Sequence, residues 1–203
     1  MLRYFSKPLL MLLLIPFFIL STRAGGSSLK QWVVLALVFS WLGDVLLMFE
    51  PMNNNFFIFG LIAFLIAHLF YIIFFESILR REKLAKNYWL FLPVLIYYGV
   101  LIYVLSPHLG EMSWPVRIYG GVISYMLIQA LQMGRIKNKP ASSLMIIGAV
   151  LFIASDSILA INKFYRPSEI AGIGIMVTYG IAQLLITLGT IKYINLPTPK
   201  FAT

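Results

Sequence analysis

The 203-residue chain contains no cysteine, which excludes disulfide scaffolds, thiolate metal sites, cysteine nucleophiles and iron–sulfur clusters. Charge is nearly as scarce: Asp, Glu, Lys and Arg make up 11% of the residues, against roughly 25% in ordinary globular chains. That is too little to coat a water-facing surface. Acidic residues number seven and histidines two, so any chemistry falls to a few carboxylates, imidazoles, hydroxyls and amides. Gly-x-Ser-x-Gly, His-Glu-x-x-His and P-loop patterns are absent, which sets aside rhomboid-like, zincin and nucleotide-driven chemistry. No lysine lies deep in an apolar run, as a retinal protein would need, and His108 falls in a loop, leaving one buried histidine where a zinc enzyme wants about three.

What the chain has in abundance is apolar sequence, 61% of the residues, with a mean hydropathy of +0.90. Hydrocarbon about 30 Å thick needs roughly 20 apolar residues per helical span. Such runs recur over residues 8–20, 31–49, 56–75, 88–105, 114–133, 142–161 and 169–191. The expected fold class is all-α, a polytopic bundle of seven transmembrane helices forming a single domain over residues 1–203. The loops are too short to hold a second domain and force neighbouring helices to run antiparallel. Trp32, Trp89 and Trp114 fall at span ends, where an interfacial aromatic belt would place them, and Trp41 does not. The first run is short enough to read also as a signal-peptide core, but no convincing small-x-small cleavage site precedes Gly25, so it is read as an anchor.

The net charge of +9 is placed by topology and does not point to nucleic acid, because the basic residues cluster in the short loops. Arg3, Lys7, Arg117, Lys163 and Arg166 fall on one side, and the other eleven of the sixteen Lys and Arg on the opposite side. The positive-inside rule then puts the amino terminus outside and the carboxyl terminus in the cytoplasm, in the plasma membrane if the cell is bacterial.

Of the seven acids, Glu50, Glu76, Glu82, Glu111 and Glu169 lie in loops or at span ends, leaving Asp44 and Asp156 within spans. A charge in that position costs at least about 2.5–3.5 kcal/mol on insertion scales, so each needs a partner, a wet cavity or neutralisation. Each precedes the predicted end of its span by five residues, about 8 Å below the outer surface, so the two carboxylates share one layer. Their surroundings, Gly43-Asp44-Val45-Leu46-Leu47 and Ser155-Asp156-Ser157-Ile158-Leu159, are similar enough to raise an internal repeat of helices two and three as six and seven. Chance likeness of apolar sequence is the competing explanation.

His68 lies about 18 Å below the same surface, on one helical stripe with Gly60, Phe64 and Tyr71. It is either an interhelical hydrogen-bond partner or a proton carrier beneath the aspartates. Tyr125 with Gln129, and Tyr179 with Gln183, are i, i+4 pairs at mid-depth, read as helix–helix contacts or as walls of a polar pocket that all these faces build together. Trp41, one turn before Asp44, would form an apolar wall of that pocket. A proton-coupled lipid or solute transporter with the same Asp/His relay is a competing reading of the constellation.

Several segments carry a resemblance. Lys7-Pro8-Leu9-Leu10-Met11, the run from Phe39 through Gly43-Asp44 to Met48, Phe64 through His68 to Tyr71, Gly148 through Asp156 to Ala160, and Tyr179-Gly180-Ile181-Ala182-Gln183-Leu184-Leu185-Ile186 resemble, in order, the signatures of the YhhN-like lysoplasmalogenases. The resemblance implies an integral membrane hydrolase that cleaves the vinyl ether bond of a lysoplasmalogen, a lysophospholipid in the bilayer, to a fatty aldehyde and a glycerophospho-head-group. It carries the family's acids onto Asp44 and Asp156 and its histidine and tyrosine onto His68 and Tyr71. Members usually have a further helix before the Lys-Pro-Leu signature, an eighth span. Its loss would place the amino terminus outside, in agreement with the charge count.

Vinyl ethers hydrolyse by slow protonation of the β-carbon, followed by capture of the oxocarbenium ion by water. The expected site pairs one protonated carboxyl with one carboxylate, a division that two acids in one low-dielectric site adopt because the first ionisation opposes the second. Asp156 is assigned as the acid and Asp44 as the carboxylate, although the reverse fits equally. Arg117, Lys163 or Arg166 would hold the phosphate. No metal or cofactor is required by this chemistry.

Overall fold

The computed structural model describes residues 2–22, 28–168 and 170–195, with side chains from residue 8 onward. The charges of Arg3, Lys7, Arg23 and Lys200, which entered the topology count, lie outside the described side chains, as does Glu169. Seven α-helices account for the described fold: α1 (Leu2–Ser21), α2 (Ser28–Met48), α3 (Asn55–Arg81), α4 (Phe91–Leu105), α5 (Ser113–Gln132), α6 (Lys139–Ala160) and α7 (Ala171–Ile194). Each falls on a predicted span, and the described residues contain no strand. Five are long and apolar enough to cross a bilayer: α2, α3, α7, α4 with its flanking 3-10 turns and α6 with the turn that follows it. The apolar part of α1, Pro8–Ser21, is shorter, and α5 carries Arg117, Gln129 and Gln132. The protein is an integral membrane protein.

Local chemistry sets the ends. Asn138 caps α6 by accepting from the Ala141 N–H at 3.1 Å, with Pro140 in the first turn, where its missing N–H costs nothing. Lys30 donates to the Ile19 carbonyl at 2.9 Å and so satisfies the end of α1. Helix α3 outruns its predicted span by six residues and closes at Lys83, whose φ of 52° is left-handed and lets the Leu84 N–H reach the Leu79 carbonyl at 3.0 Å. Glu76 is therefore inside the helix rather than beyond its end. Helix α6 passes into a π-helical turn, Ile161–Tyr165.

Apolar side chains gain little by leaving lipid for one another, so close backbone approach has to hold the helices together. The two most intimate pairs are α2 with α3 and α6 with α7. A Cβ on Gly148 would stand 2.9 Å from the Ala182 carbonyl, and one on Gly189 2.9 Å from the Ala141 carbonyl. In the other pair, Gly43 lies under the Phe64 ring and Gly60 under Leu47. Helix α5 packs between α3 and α6, α7 touches α1 and α2, and α4 lies outside on α5. The result is a ring of α2, α3, α5, α6 and α7, and its centre is where the acids lie.

Candidate active site

A cleft opens among these five helices. Leu47, Phe57, Leu61, Phe64, Leu159 and Ile175 give it an apolar wall, and Ser155, Asp156, Tyr119 and Tyr179 supply its polar groups. Its cavity volume is ≈ 20 Å³, room for about one water molecule. Asp156 is the carboxylate on the wall. The Tyr119 hydroxyl donates to its Oδ2, and next to it Ser157 pairs with the Tyr97 hydroxyl and donates to the Ile153 carbonyl. Three helices, α4, α5 and α6, thus meet around Asp156.

Asp44 is 2% exposed and reaches the cleft through an intermediary. The Tyr179 hydroxyl donates to its Oδ2 at 2.9 Å, and Tyr179 is itself a wall residue. One turn deeper, Gln183 accepts from the Tyr71 hydroxyl at 2.6 Å and donates to Ser40 Oγ at 3.0 Å. Ser40 and Asp44 are i, i+4 on α2, and Tyr179 and Gln183 are i, i+4 on α7, so two helix faces bond at two successive levels. The main packing partners of α2 are α3 and α1, those of α6 are α7 and α5, and α7 touches both α2 and α6. The ends of α2 and α6 lie together, because Lys163 forms a salt bridge with Glu50, and these residues follow Asp156 and Asp44 by seven and six positions.

A family model, the YhhN family, matches residues 2–190 of the chain. The chain belongs to the YhhN family. It is 34% identical to Lysoplasmalogenase TMEM86B of Rattus norvegicus, over 95% of this chain and 73% of that protein. It is 33% identical to Lysoplasmalogenase of Mycobacterium tuberculosis, over 79% of this chain and 60% of that one. With Lysoplasmalogenase TMEM86A of Homo sapiens the identity is 30%, over 79% and 65%. The chain thus spans between three-fifths and three-quarters of the length of these relatives. No solved structure matches it.

In this YhhN-family bundle the expected constellation divides in two. Asp156 and Tyr179 line the cleft, Asp44 bonds Tyr179 from behind, and Tyr71 and Gln183 bond each other one turn deeper. His68 stands behind the cleft wall: it is fully buried, with its ring edge-on to Tyr119 at 5.4 Å and to Phe152 at 4.8 Å. It does not line the cleft. Tyr125 and Gln129 do pair, at 3.3 Å, but they do not join a common pocket. Gln129 instead donates to Glu76 at 2.7 Å, and Lys86 bridges to the same carboxylate at 2.9 Å. The extra turns of α3 explain this, because they carry Glu76 alongside α5 and give Gln129 a charged acceptor. Trp41 packs on the main core and is not part of the cleft wall.

The expected phosphate ligands also differ in their surroundings. Arg117 is turned toward Ser106 at 3.3 Å and over the Trp114 ring at 5.9 Å, away from the cleft wall. Lys163 lies 5.0 Å from the ring of Phe57, a wall residue, and Arg166 is exposed just beyond it. Tyr119 and Ser40 were not read from the sequence. For Tyr119 a signal existed, since it enters α5 by six residues from Ser113, about 9 Å, the depth assigned to the aspartates. Ser40 lies one turn before Asp44, but serines in apolar helices commonly bond their own backbone.

Proposed function

We propose that this YhhN-family protein hydrolyses the vinyl ether bond of lysoplasmalogens, releasing a fatty aldehyde and a glycerophospho-head-group. The names of its relatives support the reaction. The observation that carries it to particular atoms is a carboxyl on the wall of an otherwise apolar cleft, with the hydroxyl of an Asp-bound tyrosine on the same wall. The cleft as it stands has room for about one water, so the aliphatic chain enters as Leu47, Leu61, Phe64 and Leu159 part to line it, which brings the ether to Asp156.

With Oδ2 held by Tyr119, Asp156 carries its proton on Oδ1 and delivers it to the β-carbon of the vinyl ether. The electron pair of the C=C bond forms the new C–H bond, and the ether oxygen shares the positive charge as an oxocarbenium ion. The resulting carboxylate and the dipole of the Tyr179 hydroxyl stabilise that ion in a site nearly free of water. Water adds to the α-carbon and gives its proton to the Tyr179 oxygen, while the Tyr179 proton passes to Asp44. The hemiacetal then collapses: its hydroxyl proton leaves, the C–O bond to glycerol breaks, and the glycerol oxygen takes up a proton. Asp156 is reprotonated as Asp44 gives up the one it gained, and the net change is addition of one water. The amino terminus outside and the carboxyl terminus in the cytoplasm would open the cleft toward the outer leaflet, where Lys163 and Arg166 meet the phosphate.

Purified protein in detergent, given a lysoplasmalogen and an ester-linked lysophospholipid, is the test. Release of aldehyde from the vinyl ether, with no fatty acid from the ester, is the expected result. Turnover of neither lipid by folded protein would refute it.

A further inference from the structure

The rim of the cleft carries an ion pair, Lys163 with Glu50, whose carboxylate has no part in the reaction above. Glu50 follows α2 in the short loop to α3, and Lys163 belongs to the π-helical turn after α6. Insertions of this kind are concentrated at functional sites. Here the turn brings Lys163 both to Glu50 and to the face of Phe57. Phe57 is 3% exposed, packs edge-on against Phe164 at 5.8 Å and forms part of the cleft wall. Both side chains of the pair keep about a third of their surface open, 32% for Lys163 and 28% for Glu50. The pair is therefore anchored beside the cleft yet accessible to a lipid head group lying over it.

An incoming phosphate meets Lys163 already occupied by a carboxylate. If the head group is purely anionic, binding Lys163 displaces Glu50 and leaves two like charges at the rim, which is unfavourable. A head group that also carries an ammonium offers each member of the pair a new partner of the right sign, so one ion pair is exchanged for two. We propose that Glu50 and Lys163 together read zwitterionic head groups, Lys163 binding the phosphate and Glu50 the ammonium. Glu50 is thus a specificity-determining residue, with Arg166 the neighbouring cation that keeps the phosphate side positive. The choice of substrate rests on the hydrolase reading above, but the recognition itself is a binding property.

The test uses saturated alkyl-ether lysolipids, which vinyl ether chemistry cannot cleave, with an ethanolamine or a glycerol head group on the same phosphate. Calorimetric titration of the purified protein in a non-ionic detergent should show the ethanolamine lipid binding roughly fivefold more tightly, the scale of one partly exposed ion pair. Glu50→Gln should bring the two affinities together, Glu50→Asp should keep the preference, and Lys163→Gln should weaken both lipids. A wild-type protein without preference, or a preference unchanged in Glu50→Gln, overturns the proposal. The two readings fail separately. Protein that binds with the expected ratio but releases no aldehyde from the vinyl ether lipid refutes the hydrolase and leaves the reader standing. Aldehyde release with equal KM for both head groups does the reverse.

Discussion

Two polar clusters occupy the two halves of the bundle, and both contain a carboxylate, a tyrosine and a glutamine. At the cleft, tyrosine hydroxyls donate to Asp44 and Asp156, and Gln183 ties the layer below. At the far end of α3, Glu76 meets Gln129, which reaches back to Tyr125, together with the Lys86 ammonium and Arg80 at 3.4 Å. Glu76 lies twelve residues beyond Phe64 of the cleft wall, about 18 Å along the helix. The Glu76 carboxylate beside Lys86 holds that ammonium above the ordinary lysine range, so the cluster is a neutralised clamp with access to water. The acids of the cleft accept from tyrosine hydroxyls, which orient a carboxyl group without cancelling its charge. The same three residue types thus form a salt-bridged clamp with Lys86 in one place and a pair of tyrosine-held acids beside a cleft in the other.

This contrast can be broken from either side. The largest effect is expected for Asp156→Asn, which removes the acid and should lower aldehyde release by about 10²–10⁴, the usual worth of general acid catalysis, while circular dichroism stays unchanged. Tyr179→Phe should reduce kcat by about 10–100-fold, with KM nearly constant, because the hydroxyl acts on the reacting carbon and not on the head group. Gly148→Leu removes no polar group of the site but should force α6 from α7 against the Ala182 carbonyl, at a cost of about 1–3 kcal/mol visible as a lower Tm in detergent. The smallest effect belongs to the clamp. Glu76→Gln should change turnover less than about twofold and stability by about 0.2–1 kcal/mol. Because the folded-state pKa of Lys86 is raised, the clamp's stabilisation is fully present below the unfolded value of about 10.4 and lost as pH rises past it. A Tm titration of wild type against Glu76→Gln would show the two converging at high pH.

Much of this was legible in the sequence. Apolar runs located all seven helices, because the hydrocarbon thickness fixes their length, and the cost of burying charge singled out Asp44 and Asp156. The pairing of Tyr179 with Gln183 on one face followed from helical spacing alone. What was not legible is partnership between helices. Tyr125 and Gln129 were read either as helix–helix contacts or as pocket walls, and nothing local to them says that α3 will extend six residues further and offer Glu76, the partner that Gln129 takes. The link from Asp44 to the cleft through Tyr179 depends on α7 packing against α2, a long-range fact that one sequence does not encode in any spacing. Tyr119 was missed because its only sequence signal is depth, and that becomes informative once α5 is known to lie beside α6.

The most direct test of carboxyl-driven vinyl ether cleavage is hydrolysis in heavy water, with the aldehyde trapped as it forms and weighed by mass spectrometry. The mechanism predicts one deuterium on the carbon next to the carbonyl, delivered by the exchanged Asp156 carboxyl, and labelled product from Asp156→Asn slowed by about 10²–10⁴. Aldehyde without deuterium at that carbon, or labelling that persists at the wild-type rate in Asp156→Asn, would contradict it.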